Sequence, residues 1–190
     1  MGYTTDFSGS FEFDKPVEPW LIEYINKFCE TRRMKRNNDK IKELYPNWKD
    51  LCFKGNLGVE GEYFIGGIGF MGQTSDDSVI DNNRPAQTQP GLWCQWVVSE
   101  DGKRLEWDGC EKFYNYMEWL DYLIVEFFNP LGYILNGSVE WQGEDYDDLG
   151  TIVVTDNVVD IEYGIRVSSM DCIDDNILIQ ELEKRGYKVT

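Results

Sequence analysis

Phe7, Phe11 and Phe13 fall at even spacing among polar neighbours, the period of a strand with one dry face. This predicts an opening strand over residues 3–13, ended by Asp14-Lys15-Pro16. Leu21, Ile25, Phe28 and Cys29 then recur at helical spacing and predict a helix over 18–33. A shorter helical segment is expected around 39–51, bent or broken at Pro46, because proline lacks the N–H and clashes with the preceding turn. Residues 55–91 read as an irregular region, with seven glycines between Gly55 and Gly72 and a polar stretch up to Pro90. One short strand is expected inside it, at 62–65.

Residues 92–98 have strand composition, Ser99-Glu100-Asp101-Gly102 supplies a turn, and 105–107 return as the hairpin partner. Asp108, with Glu111 three residues on, matches a capping box. The helix it predicts carries Phe113, Tyr116, Met117, Leu120, Leu123, Ile124, Phe127 and Phe128 as a broad apolar stripe, and Asn129-Pro130 stops it. A strand over 133–141, with Asn136-Gly137 as a bulge or turn, pairs as a hairpin with 151–154. Val159, Ile161, Tyr163, Ile165 and Val167 alternate with Asp160, Glu162 and Arg166 as a further strand, and a helix over 174–185 ends at Gly186. The fold class is α+β: an antiparallel or mixed sheet built from hairpins, with two or three helices packed on one face. The chain of 190 residues reads as a single domain with a strand-helix extension from about residue 158.

Composition changes the picture through charge. Eighteen Lys and Arg face 35 Asp and Glu, a net charge of −17. Such a chain repels nucleic acid and anionic membranes and attracts basic partners. Its acidic surface serves solubility, or it is a docking face, even one that imitates a phosphate backbone. Residues 31–54 run against the trend with eight basic and three acidic side chains, so the remainder carries −22. Arg32, Arg33, Lys35 and Arg36 at the end of the first helix either pair with its C-terminus and with the protein's own acids, or hold an anion. Five scattered Cys and no C-x-x-C indicate reduced thiols, and the start, Met1-Gly2-Tyr3-Thr4-Thr5-Asp6, has no signal-peptide pattern, so a cytoplasmic protein is expected.

Several chemical readings fall short. Gly67-Ile68-Gly69-Phe70-Met71-Gly72 matches a dinucleotide-binding string, but no helical spacing follows, and Asp76, Asp77 and Asp81 would repel phosphate. Glu106, Asp108 and Glu111 near Trp107, and Glu140 and Glu144 around Trp141, put carboxylates beside rings as glycosidases do, yet a cap and a wet strand face account for them. Glu144, Asp145, Asp147 and Asp148 miss the EF-hand spacing, because Leu149 occupies a ligand position. The absence of His leaves nucleophilic catalysis without its usual base.

The strings Glu30-Thr31-Arg32-Arg33-Met34, Leu92-Trp93-Cys94-Gln95-Trp96, Leu105-Glu106-Trp107-Asp108-Gly109 with Glu111-Lys112-Phe113-Tyr114, and Asn136-Gly137-Ser138-Val139-Glu140-Trp141-Gln142-Gly143-Glu144 resemble an uncharacterised family of small acidic proteins from bacterial and phage genomes. The resemblance spans most of residues 1–160. It implies no activity, but it does imply a bacterial or phage cytoplasmic origin.

Charge and the lack of a complete catalytic set point to a non-enzymatic binding or inhibitor protein that docks on a partner protein with a basic face. With the origin that the resemblance implies, it would be phage-encoded and act on a host protein. The alternative is a binder, or an enzyme, of a phosphorylated or nucleotide-like small molecule. Its pocket would bring Arg32, Arg33, Gln73 and Arg84, near the glycine-rich loop, together with Trp93, Trp96, Trp107, Glu106 and Trp141. No cofactor, metal or membrane contact is expected, and direct nucleic-acid binding is disfavoured.

Overall fold

The computed structural model describes residues 2–66, 73, 75–164 and 175–185. In chain order the elements are β1 (Thr5–Phe13), α1 (Pro19–Glu30), β2 (Lys35–Arg36), α2 (Asn38–Leu44), β3 (Val79–Asp81), β4 (Trp96–Val98), β5 (Arg104–Trp107), α3 (Tyr116–Leu123), β6 (Leu135–Gly143), β7 (Leu149–Thr155), β8 (Val158–Tyr163) and α4 (Asp175–Lys184). Six strands form one antiparallel sheet in the order β4-β5-β1-β6-β7-β8, and β2 and β3 form a second, two-stranded pair. The α+β class and the hairpin-built sheet therefore hold. Among the described residues no helix is long and apolar enough to cross a membrane.

The centre of the sheet is the β1–β6 pair, in register from Thr5 opposite Gly143 to Phe13 opposite Leu135. Side chains alternate across a strand. One face therefore collects Phe7, Phe11 and Phe13 from β1, Leu135, Val139 and Trp141 from β6, Leu105 from β5, Trp96 and Val98 from β4, and Ile152 and Val154 from β7. Leu21, Ile25 and Phe28 of α1, with Leu120 and Leu123 of α3, pack on that face. Phe7 meets four rings edge-on: Trp96 (5.5 Å between centroids), Trp107 (5.4 Å), Phe113 (5.9 Å) and Tyr116 (4.8 Å). Edge-to-face geometry sets the positive ring edge against the negative ring face. A smaller apolar group of Ile41, Cys52, Leu57 and Phe64 lies under α2 and the segments that follow it.

α1 also closes an edge of the sheet. The Asn26 amide donates to the Val98 carbonyl at 3.0 Å and accepts from the Val98 N–H at 2.9 Å, while the Cys29 thiol donates to the Trp96 carbonyl at 2.9 Å. Backbone groups of β4 that would otherwise invite another strand are occupied.

Several sequence expectations need correction. α1 stops at Glu30, with Thr31 already extended, so Arg32 and Arg33 lie beyond the helix. α2 is capped by Asn37, whose side chain accepts from the Asp39 and Lys40 N–H groups, and it ends before Pro46, with a tight 3-10 turn over Trp48–Leu51. Residues 62–65 are not a strand, and β3 forms instead within the polar stretch, against β2. Of residues 92–98 only Trp96–Val98 is strand.

Asp108 caps no helix. Its carboxylate accepts from the Cys110 N–H at 2.8 Å, and residues 109–115 stay tied to the β4–β5 hairpin through Gln95 to the Glu111 carbonyl and Trp107 to the Cys110 carbonyl. α3 begins only after Asn115, continues into a wider π-helical turn over Ile124–Phe128, and closes with a 3-10 turn over Asn129–Leu131. The wide turn buries Ile124, Phe127 and Phe128 together.

Asn136-Gly137 is neither bulge nor turn, because pairing runs unbroken through it. Gly137 has φ 130°, and a Cβ there would sit 3.0 Å from the Ser10 carbonyl oxygen. The end of the expected strand at 165–167 and the glycine at 186 lie outside the described residues, as does the glycine-rich string at 67–72.

Gly150 makes room for the Trp141 ring, since a Cβ on it would lie 2.2 Å from the ring's Cη2. Gly150→Val is expected to lower stability by about 1–3 kcal/mol through overpacking at the β6–β7 seam. Urea unfolding measures this, and a midpoint equal to wild type would refute it.

Candidate functional site

The second face of the six-stranded sheet carries the charge. Outward positions hold Asp6, Ser8, Ser10 and Glu12 on β1, Asn136, Ser138, Glu140 and Gln142 on β6, Thr151 on β7, Asp160 and Glu162 on β8, and Arg104 and Glu106 on β5. Cross-strand pairing sets Ser8 beside Glu140, Glu140 beside Thr151, and Thr151 beside Glu162. Asp6, Glu12, Glu140, Asp160 and Glu162 are exposed. Arg104 is the one cation at these positions, 3.5 Å from Glu106. A shallow hollow of about 340 Å³, where the start of β1 meets the end of β6 and the start of β7, is lined by Asp6, Ser8, Glu140, Gln142 and Thr151, among others. The face is mainly polar and acidic, with Val97, Leu149, Val153 and Val158 also at outward positions, and the backbone pairing fixes its spacing.

The residues expected to share one pocket are dispersed. Trp96 is fully buried and donates to the Tyr116 carbonyl at 2.8 Å. Trp107 donates to Gln95 Oε1 and to the Cys110 carbonyl, and Trp141 to Asp148 Oδ1 at 3.1 Å. These three indoles gather around Phe7 and Tyr116 as core, with every N–H satisfied. Glu106 points to the outer face instead, and Trp93 is half-buried outside any strand. Arg32 does meet Gln73, with Nη1 3.4 Å from its Oε1, and its Nε donates to the Asn82 carbonyl. Arg84 is largely solvent-exposed, 3.7 Å from Asp81.

Arg33 goes inward. It is 2% exposed, its guanidinium lies 4.0 Å from the Phe28 ring centroid, and Nη2 donates to the Glu62 carbonyl at 2.6 Å. Among the described residues its Nε and Nη1 have no hydrogen-bond partner, nor does the buried Trp119 Nε1. Burial lowers the pKa of Arg33. The Glu62 carboxylate, also buried, accepts from the Val59 N–H at 2.7 Å, the Thr88 hydroxyl and the Tyr122 hydroxyl. Arg36, 3% exposed, is better served: Nη1 lies 3.0 Å from Asp76 Oδ2 and 2.6 Å from Ser78 Oγ, and Tyr45 also donates to Asp76. This clamp fastens β2 to the segment before β3. Pairing with the protein's own acids therefore holds for Arg36 with Asp76 and for Lys35 with Glu60 at 2.6 Å, whereas neither buried arginine pairs with the end of α1. Nothing in the local sequence distinguishes Arg33 from Arg32.

The acidic turn between β6 and β7 is structural. Asp148 accepts from the Tyr3 hydroxyl at 2.6 Å and from Trp141, pinning the start of β1 to the hairpin. Among the described residues no group of three Asp, Glu or Cys is placed to hold a metal ion. Cys29, Cys52, Cys94 and Cys110 are free thiols.

Two outcomes follow from the arginines. Arg33→Met should unfold at the same or a higher urea concentration, a gain of about 1–2 kcal/mol, because a buried cation with unmet donors is replaced by an apolar chain. The Glu62 carbonyl keeps its bond from Gln89 Nε2 at 2.8 Å, so no acceptor is orphaned. A clear fall in the midpoint would show that the cation is anchored. For Asp76, burial raises the carboxyl pKa, but hydrogen bonds from Ser78 and Tyr45 and the charge of Arg36 outweigh it and hold the group at about 2, below the ordinary 3.8. A lowered folded pKa means that the contribution is complete above the ordinary value and is lost as pH falls through about 2. Wild type should therefore lose more stability than Asp76→Asn over that interval, and parallel acid-unfolding curves would refute the clamp.

No protein-family model, curated protein or solved structure matches the chain.

Proposed function

We propose that this protein is a non-enzymatic binding or inhibitor protein, docking through the acidic outer face of its sheet on a surface of a partner protein rich in lysine and arginine. The observation that carries the reading is the six carboxylates Asp6, Glu12, Glu106, Glu140, Asp160 and Glu162 on one sheet face, with Arg104 as their only cationic companion at outward strand positions among the described residues. Neighbouring strands lie about 4.8 Å apart, and Glu140 and Glu162 occupy one cross-strand row on either side of Thr151, so the sheet fixes the spacing of these groups. A partner therefore meets acids already in place, and little ordering entropy opposes docking. The field of a chain with net charge −17 adds long-range attraction for a basic surface and speeds encounter. An origin in a phage, with a bacterial host protein as target, agrees with this chemistry and with the family resemblance.

Screening gives the test, because exposed charges separated by more than about 8 Å are damped at physiological ionic strength and by about 3 Å at 1 M salt. Capture of partners from bacterial lysate should weaken steeply with salt. It should also be lost in a variant carrying Glu12→Gln, Glu140→Gln, Asp160→Asn and Glu162→Gln. A control neutralising Glu23, Asp39, Glu43 and Glu100, all off this face, should keep the catch. Equal loss in both variants, or a catch indifferent to salt, would remove the proposal.

A further inference from the structure

Between α1 and residues 48–55 lies a cleft of about 470 Å³, within the roughly 300–1,000 Å³ range of small-molecule sites. One wall is aromatic. Trp20 stands 42% exposed at its mouth, stacked on Phe53 with centroids 6.3 Å apart and planes at 27°. The Trp20 indole N–H donates to Glu18 Oε2 at 2.5 Å, so the ring is held from two sides. Tyr24 and Ile65 continue the apolar floor, and the Tyr24 hydroxyl is already engaged with the Tyr63 carbonyl at 2.8 Å. An exposed ring fixed in this way is a ready stacking surface that loses little freedom when another ring covers it.

The rim is cationic. Lys27, Lys49 and Lys54 line it, against Glu23 and Asp50. Lys27 is paired with Glu23 at 2.6 Å. Lys49 and Lys54 have ring contacts instead, 5.7 Å from the Trp48 centroid and 5.5 Å from the Phe53 centroid. Neither forms an ion pair among the described residues. Acids outnumber cations nearly two to one in this chain, so two lysines without carboxylate partners at the mouth of one cleft run against its composition. Burial and the Asp50 charge push the Cys52 thiol up to about 11, which keeps that part of the lining neutral at physiological pH.

We infer that this cleft binds a small phosphorylated molecule with a flat ring, of the nucleoside monophosphate class, its ring on Trp20 and its phosphate between Lys49 and Lys54. A lysine ammonium serves phosphate as a compact point charge, and an aromatic platform accepts any base because every base has a π face. The site does not rest on the docking proposal. Its lining shares no residue with the sheet's outer face, so either can fail alone.

The test follows the Trp indole N–H resonances of ¹⁵N-labelled protein during titration with AMP and with UMP, the Trp20 signal being the one lost in Trp20→Phe. That signal should shift saturably with at least one nucleotide. Lys49→Ala with Lys54→Ala should weaken the apparent affinity by about tenfold and leave the thermal melt unchanged, since both side chains are exposed. Adenosine and inorganic phosphate should each bind more weakly than AMP, and added salt should weaken AMP more than adenosine. A Trp20 signal unmoved by both nucleotides overturns the inference. So does unchanged affinity in the lysine variant, or adenosine binding as tightly as AMP.

Discussion

The rest of the molecule depends on the pairing of β1 with β6. It joins the first residues of the chain to residues 135–143 along the whole of both strands, and every other strand of the main sheet adds outward from that pair. Once it forms, Phe7, Phe11 and Phe13 must face the same way as Leu135, Val139 and Trp141, because a one-residue slip would turn every side chain over. A sheet with one such face has to cover it. α1 and the α3 segment do so, and the edge-to-face rings around Phe7 give that cover a specific geometry.

The same pairing produces the molecule's electrostatic asymmetry. Residues alternating with the phenylalanines are Asp6, Ser8, Ser10 and Glu12, and their neighbours on β6 and β8 add Glu140, Asp160 and Glu162. The acids collect on the face that no described helix covers. Cations are concentrated at 32–54, where Arg33 and Arg36 turn into the interior and Lys49 and Lys54 rim the cleft beside α1. One chain therefore presents two surfaces of opposite character, a broad acidic sheet face and a narrow aromatic cleft with a basic rim. Buried arginine is an unfavourable way to use a cation unless its donors are met. Arg36 meets that condition through Asp76 and Ser78, whereas two nitrogens of Arg33 find no partner among the described residues.

The sequence by itself determined the fold class, the hairpin-built sheet, the approximate positions of α1, α2 and β6 through β8, and the wet and dry faces of β1, β6 and β8. These are local periodicities, and burial on one side enforces them. It could not locate the start of α3, because the Asp108 capping signal is genuine local chemistry that Trp107, Gln95 and the burial of Phe113 override. β2 and β3 were invisible because a strand of two or three residues has no period to read. The tryptophans looked like a binding group and became core, since nothing local says whether an indole N–H will find a carbonyl. Tertiary structure alone decided which strands lie side by side, which of two adjacent arginines is buried, and that Trp20, Lys49 and Lys54 share one cleft. Each depends on segments distant in the chain meeting in space, and no spacing within a single element encodes that.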